Sequence, residues 1–406
     1  MRLTILSIFS LLFFSCQSQH EEKAATVIDQ PGVFKFKPLS PQAKQAYADA
    51  IQPLYENVLT KHGFSGSILM AKNGEIVFED YHGLINFKTK ENITASTPFH
   101  LASISKTFTG MMVLHLWEQG KLSLDDSIQH FFPKFPYHNI TIQQLLSHRS
   151  GLPYYADFMD DKTVVAVKAK NKKGKTITRY VTVKTPNALK PGFSSNYDML
   201  QYMIDKKPPR LALPGKVFHY CNTNFSILAL IIEKVTGTSF PVYMKDSLFD
   251  KLGMKNTFVF SVADINKYVP SYQANNAPYP LEKLDCIYGD KNVYSTVRDI
   301  YLWDKALYEG SFVSKPTLDM AFRPYSNEKR TNHNYGLGWR ILTSTNENGT
   351  IIYHNGWWHG NNTVFTRMIG DTATLIILGN KYNRNIYKAK EMASVFTGMS
   401  DSTKVD

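Results

Sequence analysis

Ser103 and Lys106 stand three positions apart at the head of an apolar run, Phe108 to Trp117. If that run is a helix, its first turn presents the serine hydroxyl and the lysine amine on one face, within reach of each other. A serine hydroxyl becomes a useful nucleophile once a neighbour takes its proton. A lysine takes it only where burial or another cation disfavours the ammonium form. A helix N-terminus adds N–H donors and positive potential beside such a pair. The stretch Phe99-His100-Leu101-Ala102-Ser103-Ile104-Ser105-Lys106 therefore reads as a nucleophile, its base and part of an anion cradle. The same spacing recurs at Ser326 and Lys329, in a polar stretch with no apolar run behind it, and that copy reads as loop.

An acyl-transfer site also needs a proton carrier to the leaving group, donors for the oxyanion and a means of orienting the carbonyl. Tyr220-Cys221-Asn222 offers a phenol and a carboxamide just ahead of an apolar helix. His354-Asn355-Gly356-Trp357 offers an imidazole and a glycine at a strand end, and a glycine there leaves room for a substrate laid along the strand. Cys221 reads as a small buried thiol, and His100 and His115 as packing or surface residues. Trp357, Trp358 and His359 are candidates for lining a cleft that stacks on a sugar or an apolar acyl group, or for packing at the strand end. Neither H-E-x-x-H nor C-x-x-C occurs among the twelve histidines and three cysteines, so no metal site and no cofactor is expected.

The 406 residues, 43% of them apolar, suffice for a large core in one domain or two intergrown lobes. Two cysteines beyond Cys16 make no disulfide framework. Arg2, the apolar run Leu3 to Phe14, and Ser15 before Cys16 describe an export signal over residues 1–15. A cysteine directly after the small residue resembles the lipobox of bacterial lipoproteins, with Cys16 as the lipidated residue. The expected location is outside the cytoplasm, anchored in a membrane and facing the periplasm or the cell surface. The formal charge of +12, or +11 once Arg2 leaves with the signal, suits anionic envelope polymers and lipid head groups, and equally a lysine-rich solvated surface. Nucleic acid is excluded as a partner by export and by the lack of a recognition motif.

The elements that must position these residues follow from pattern. Residues 16–40 read as a linker, and the folded domain as 41–400. Gln42 to His62 has helical spacing stopped by Gly63. Phe64 to Lys72 and Glu75 to Gly83 alternate around Asn73-Gly74, a two-residue hairpin signal. Residues 157–184, rich in lysine around Gly174, read as an inserted basic hairpin or loop, and residues 110–290 as a mainly helical lobe. Ser226 to Val235 and Val242 to Leu252 are expected helices, and Thr296-x-x-Asp299 a capping box before another. Four strands are expected at Tyr335 to Leu342, Thr350 to Asn355, Thr363 to Ile369 and Thr372 to Leu378. Strands at both ends and helices between them predict an α/β (α+β) fold: one antiparallel sheet flanked by helices, with an inserted all-helical lobe.

Ser103-x-x-Lys106, Tyr220-x-Asn222 and His354-x-Gly356, in that order, resemble the serine beta-lactamase-related family. That family includes class C beta-lactamases, D-alanyl-D-alanine carboxypeptidases, esterases and D-amino-acid peptidases. Flanking segments agree: Leu145 to Leu152, Pro214-Gly215, Leu252-Gly253-Met254 and Tyr335 to Trp339. The resemblance runs from about Phe64 to Leu378 and implies a beta-lactamase/transpeptidase-like fold. It implies that Ser103 forms the acyl-enzyme, that Lys106 is the base, and that Tyr220 carries the proton to the leaving group. Asn222 would hydrogen-bond Lys106 and the substrate amide, and the N–H groups of Ser103 and Trp357 would form the oxyanion hole. His354 departs from the lysine of the beta-lactamases; a neutral imidazole does not clamp a carboxylate as an ammonium does, whereas a protonated one can. The expectation is a monomeric, lipid-anchored envelope hydrolase of an amide or ester, such as a D-Ala-D-Ala-type peptide or small ester. The alternatives are a class C-type beta-lactam hydrolase and a non-catalytic envelope-binding lipoprotein of the same fold.

Overall fold

The computed structural model describes residues 34–159, 162–170, 174–184, 192–266, 268–329, 331–343 and 349–397. The expected signal and Cys16 lie outside these residues. The strands are β1 (Gly66–Lys72), β2 (Glu75–His82), β3 (Leu84–Asn86), β4 (Glu91–Asn92), β5 (Phe99–His100), β6 (Lys162–Lys170), β7 (Thr176–Lys184), β8 (Phe258–Val259), β9 (Val293–Ser295), β10 (His333–Tyr335), β11 (Arg340–Leu342), β12 (Ile351–Trp358), β13 (Asn361–Met368) and β14 (Ala373–Gly379). The helices are α1 (Pro41–Val58), α2 (Ser105–Glu118), α3 (Ile128–Phe131), α4 (Ile142–Leu146), α5 (Tyr155–Met159), α6 (Asn196–Lys206), α7 (Asn222–Thr236), α8 (Phe240–Met244), α9 (Val297–Glu309), α10 (Lys315–Ala321) and α11 (Lys390–Thr397).

The main sheet is antiparallel and seven-stranded, in the order β10-β11-β12-β13-β14-β1-β2, so that among the described residues the first strand, β1, pairs with the last, β14. Successive side chains of a strand point to opposite faces, and both faces of these central strands are covered. Ile68, Met70, Leu375 and Ile377 pack with Ile51 and Tyr55 of α1 and Met392 of α11. Leu69, Ala71, Ile376 and Leu378 join the larger core with α2 and α7. This is the expected sheet between terminal helices and a helical lobe.

Helix α2 is buried on all sides, as an apolar helix with no polar face must be. Lys106 is the one lysine it places in the core, fully buried. The basic insertion is a hairpin in which β6 and β7 pair with each other as a separate two-stranded sheet.

Four expectations change. The described end of the linker is part of the body: Phe34 and Phe36 pack on Tyr308, with ring centroids 5.7 and 5.6 Å away, and the Leu39 N–H donates to Glu75. The expected strand from Tyr335 to Leu342 is two, β10 and β11, because Gly336 to Trp339 form a tight reversal closed by the Gly336 N–H to the Trp339 carbonyl. The expected helix from Val242 to Leu252 is α8 followed by a wider turn over Lys245–Phe249. Thr296 caps α9 through the Asp299 N–H, but the Asp299 carboxylate turns to the Asn256 N–H and Thr257 hydroxyl, so only half of a capping box forms.

Candidate active site

Ser103 sits in a 3-10 turn, Ala102–Ile104, immediately before α2 rather than within its first turn. The turn opens at Ala102, whose φ of +49° is uncommon for a residue with a Cβ. Neighbouring groups hold it there. The Ala102 N–H donates to His100 Nδ1 (3.0 Å), so the other ring nitrogen carries the proton and donates to the Asn292 carboxamide oxygen (2.9 Å). The Leu101 N–H donates to the Val293 carbonyl, and Ser105 accepts from the Val293 N–H. On the other side the Thr363 hydroxyl donates to the Leu101 carbonyl (2.8 Å).

The three expected reacting groups converge. Ser103 Oγ accepts from Lys106 Nζ at 2.9 Å and from the Tyr220 hydroxyl at 2.8 Å. Lys106 Nζ also donates to the Asp290 carbonyl (2.8 Å) and lies 4.9 Å from the centre of the Tyr220 ring. Tyr220 is gripped on both sides by His148: the His219 N–H donates to the His148 carbonyl and the Cys221 N–H to its Nδ1. The His148 ring lies 4.4 Å from that of Tyr220. Burial keeps His148 well below the usual histidine range, hence neutral and able to accept. The Cys221 thiol is buried and pushed up to about 11, which leaves it protonated and unsuited to attack.

Asn222 does not bond Lys106, whose contacts go to Ser103 and Asp290 instead; the Asn222 carboxamide oxygen is buried without a partner. Gly356 also has a different reason from the one expected. A Cβ there would meet the Leu101 carbonyl at 2.4 Å, Ala102 Cβ at 2.9 Å and Thr363 Oγ1 at 2.3 Å. The glycine lets the Ser103 turn close onto β12. Strand β11 ends at Arg340, opposite Tyr353, so from His354 onward β12 has a partner strand, β13, on one edge only. Trp357 is exposed at that open stretch, its indole N–H held by the His359 carbonyl (3.0 Å).

His354 is fully buried, in surroundings that disfavour its cation. Its Nδ1 donates to the Asn355 carbonyl (2.8 Å), which leaves Nε2 to accept from the Tyr335 hydroxyl (3.1 Å). Burial holds it well below the usual histidine range, and the Arg340 and Lys106 charges push the same way. Arg340, at the head of β11, is the arginine beside it. Its guanidinium carbon is 5.1 Å from the Tyr220 ring centre, and its Nε is buried without a partner.

The Beta-lactamase family model matches residues 49–391. Penicillin-binding protein 4* of Bacillus subtilis (strain 168) is 32% identical over 372 residues, 86% of this chain and 76% of that protein. The chain belongs to the beta-lactamase family. Solved structures agree on the fold. The octameric penicillin-binding protein homologue from Pyrococcus abyssi superposes with a TM-score of 0.70 at 23% identity, over 86% of this chain and 77% of that one. The D-amino acid amidase from Ochrobactrum anthropi SV3, in complex with L-phenylalanine amide, does so with a TM-score of 0.66 at 20% identity, over 86% and 97%.

Sequence reasoning for this member of the beta-lactamase family missed five residues at the site: His100, His148, Asp290, Lys291 and Arg340. Three had a local signal: His148 lies inside the Leu145 to Leu152 segment. His100 precedes Ser103 by three positions, and Arg340 directly follows the Tyr335 to Trp339 motif.

Proposed function

We propose that this beta-lactamase-family hydrolase forms an acyl-enzyme on Ser103 and cleaves an amide or ester of the cell envelope, with a peptide ending in a free carboxylate, of the D-Ala-D-Ala type, as the favoured substrate. The observation that carries the reaction is Ser103 Oγ within hydrogen-bond distance of both Lys106 Nζ and the Tyr220 hydroxyl. In this reading Ser103 Oγ bonds to the substrate carbonyl carbon while its proton passes to the Lys106 amine. The oxyanion is met by the N–H groups of Ser103 and Trp357, donors of a kind worth about 3 kcal/mol each in the transition state. Tyr220 delivers a proton to the departing amine or alkoxide, and a water, deprotonated by the same pair, then releases the acid from Ser103.

Two orphaned groups support the substrate class. A buried acceptor without a partner is costly, and the Asn222 oxygen suits a substrate amide N–H. Arg340 supplies the cation for a carboxylate that the neutral His354 cannot hold. Export and anchoring through Cys16 belong to the same proposal and rest on the pattern of residues 1–23; Cys16→Ala is expected to move the protein from the membrane to the soluble fraction.

The deciding experiment incubates the folded protein with a fluorophosphonate and a fluorescent penicillin and weighs the product. A single adduct, lost in Ser103→Ala, is expected. A folded protein that takes neither label is the non-catalytic binding protein instead. Arg340→Ala is expected to raise KM for a D-Ala-D-Ala peptide about tenfold or more, the worth of a charge-assisted hydrogen bond, while leaving p-nitrophenyl acetate turnover little changed. Equal losses on both substrates would remove Arg340 from carboxylate recognition.

A further inference from the structure

A second lysine is buried beside the first. Lys291 is 2% exposed, and a buried ammonium is costly unless it is paired and hydrogen-bonded. Its Nζ donates to the Tyr155 hydroxyl (2.8 Å) and the Ile287 carbonyl (2.9 Å), and lies 5.2 and 5.0 Å from the ring centres of Tyr155 and Trp358. The Tyr155 hydroxyl donates in turn to the Asp290 carboxylate (2.8 Å), whose other oxygen accepts from Ser226 (3.0 Å). Asp290 is thus held to Lys291 through a phenol, while its main-chain carbonyl accepts from Lys106 Nζ (2.8 Å). One residue links the two lysines. Replacing such a buried ionic group with apolar side chains is often neutral or stabilising, so stability alone gives no reason for its presence here.

We propose that Lys291 is a positioning residue that neutralises the Asp290 carboxylate, so that the Lys106 amine is not held as an ammonium by an uncompensated anion. The inference rests on the reading of Lys106 as the base. The other titratable groups facing Lys106 are Tyr220 and Cys221 ahead of α7, His148 on the loop after α4, and His354 on β12. Burial keeps both histidines unprotonated and the thiol protonated, so these three carry no charge. The groups of fixed or paired charge around the amine are Asp290, Lys291 and, beyond the Tyr220 ring, Arg340; burial pushes Lys291 below the usual lysine range, and the Asp290 and Asp285 carboxylates push it back up. Asp285, which also bears on Lys291, is taken up by the Trp358 N–H (2.7 Å) and His359 (3.3 Å). Tyr155 keeps its proton, because burial and the Asp290 charge push its phenol well above the usual range. The link between Lys291 and Asp290 therefore joins a cation to an anion and moves no proton. Without the cation, the carboxylate would favour the protonated form of Lys106.

The test is the pH dependence of Ser103 labelling by a fluorophosphonate, whose acid limb reads loss of the basic amine. In Lys291→Met the limb is expected to move up by about one pH unit, with labelling at neutral pH about tenfold slower and recovered at higher pH. In Asp290→Asn the limb is expected to move down. In the double variant it is expected to return to the wild-type position. Loss of structure alone would slow labelling at every pH and leave the limb in place, and that result, or two shifts in the same direction, overturns the inference. Should Lys291→Met fail to fold, the near-isosteric Asp290→Asn and the neutral double variant decide. A wild-type protein that takes no label at any pH sinks the proposed reaction, not this one. The lysine side-chain 15N signal of Lys106 in the same variants then reads the same ordered shifts, and their absence overturns the inference.

Discussion

His100 shows how a single side chain can set a turn it does not belong to, the one that carries Ser103. Its Nδ1 takes the N–H of Ala102, a residue at positive φ with only 1% of its surface exposed. Burial pushes His100 down to about 4, so the ring stays neutral and the acceptor persists at working pH. Backbone held at such a φ stores about 1 to 3 kcal/mol and persists only where its surroundings fix it. Removing the acceptor also orphans a buried N–H, at a further cost of about 1–3 kcal/mol. His100→Ala is therefore expected to lower kcat on a p-nitrophenyl ester about a hundredfold, the scale of a misplaced reacting group, with KM little changed. His100→Asn, which keeps an acceptor oxygen near the same place, is expected to recover part of that loss. A fall in KM-linked terms alone would contradict this role. The histidine was visible in the sequence, but its partner Asn292 lies 192 positions away. No local pattern announces such a pair, and a lone histidine beside apolar residues reads as packing.

At the scale of elements, one segment, Asp285 to Asn292, touches each part of the site. Asp285 holds Trp358 and His359 just after Trp357, the Asp290 carbonyl holds Lys106, and Asn292 holds His100. The Asn292 amide is itself fixed by the Asp285 and Ile287 carbonyls. Strand β12 closes the other side, and Gly356 is where it meets the Ser103 turn. Gly356→Ala would force a Cβ against the Leu101 carbonyl and Ala102 Cβ, both backbone-borne and unable to swing away. The expected outcome is a folded protein with kcat down about a hundredfold or more, checked by turnover alongside a melting curve. Wild-type turnover would show that the turn tolerates the displacement. Elements with local causes were legible: the Asn73-Gly74 hairpin, α1 and its Gly63 stop, α7, and strands β12 to β14. Those decided by distant contacts were not. The start of α2 slips past Ser103 because β9 and His100 hold the preceding turn, and the Asp299 side chain leaves its own helix cap for Thr257.

Among the described residues, three histidines are buried uncharged around one site: His100, His148 and His354. Each has a folded-state pKa below the unfolded value near 6.5, because burial penalises the imidazolium. The folded chain therefore refuses protons that the unfolded chain accepts, and stability present above pH 6.5 is lost as the pH falls. Down to pH 5.5 each histidine gives up about 1.4 kcal/mol, so the three together remove about 4 kcal/mol from a domain whose margin is typically 5–15 kcal/mol. Asp299 and Asp304, raised by burial, take up protons in the folded state and work in the opposite direction, closer to the ordinary carboxylate range. Urea unfolding at pH 7.5 and pH 5.5 is expected to show this drop, and His354→Gln, which cannot titrate, to shrink it by about a third. A drop already a third smaller in the wild-type protein would mean that one imidazole is protonated in the folded chain, and a free energy unchanged between the two pH values that all three are. That matters for the site as much as for the fold, because a protonated His354 would place on β12 a cation of the kind proposed for Arg340 on β11.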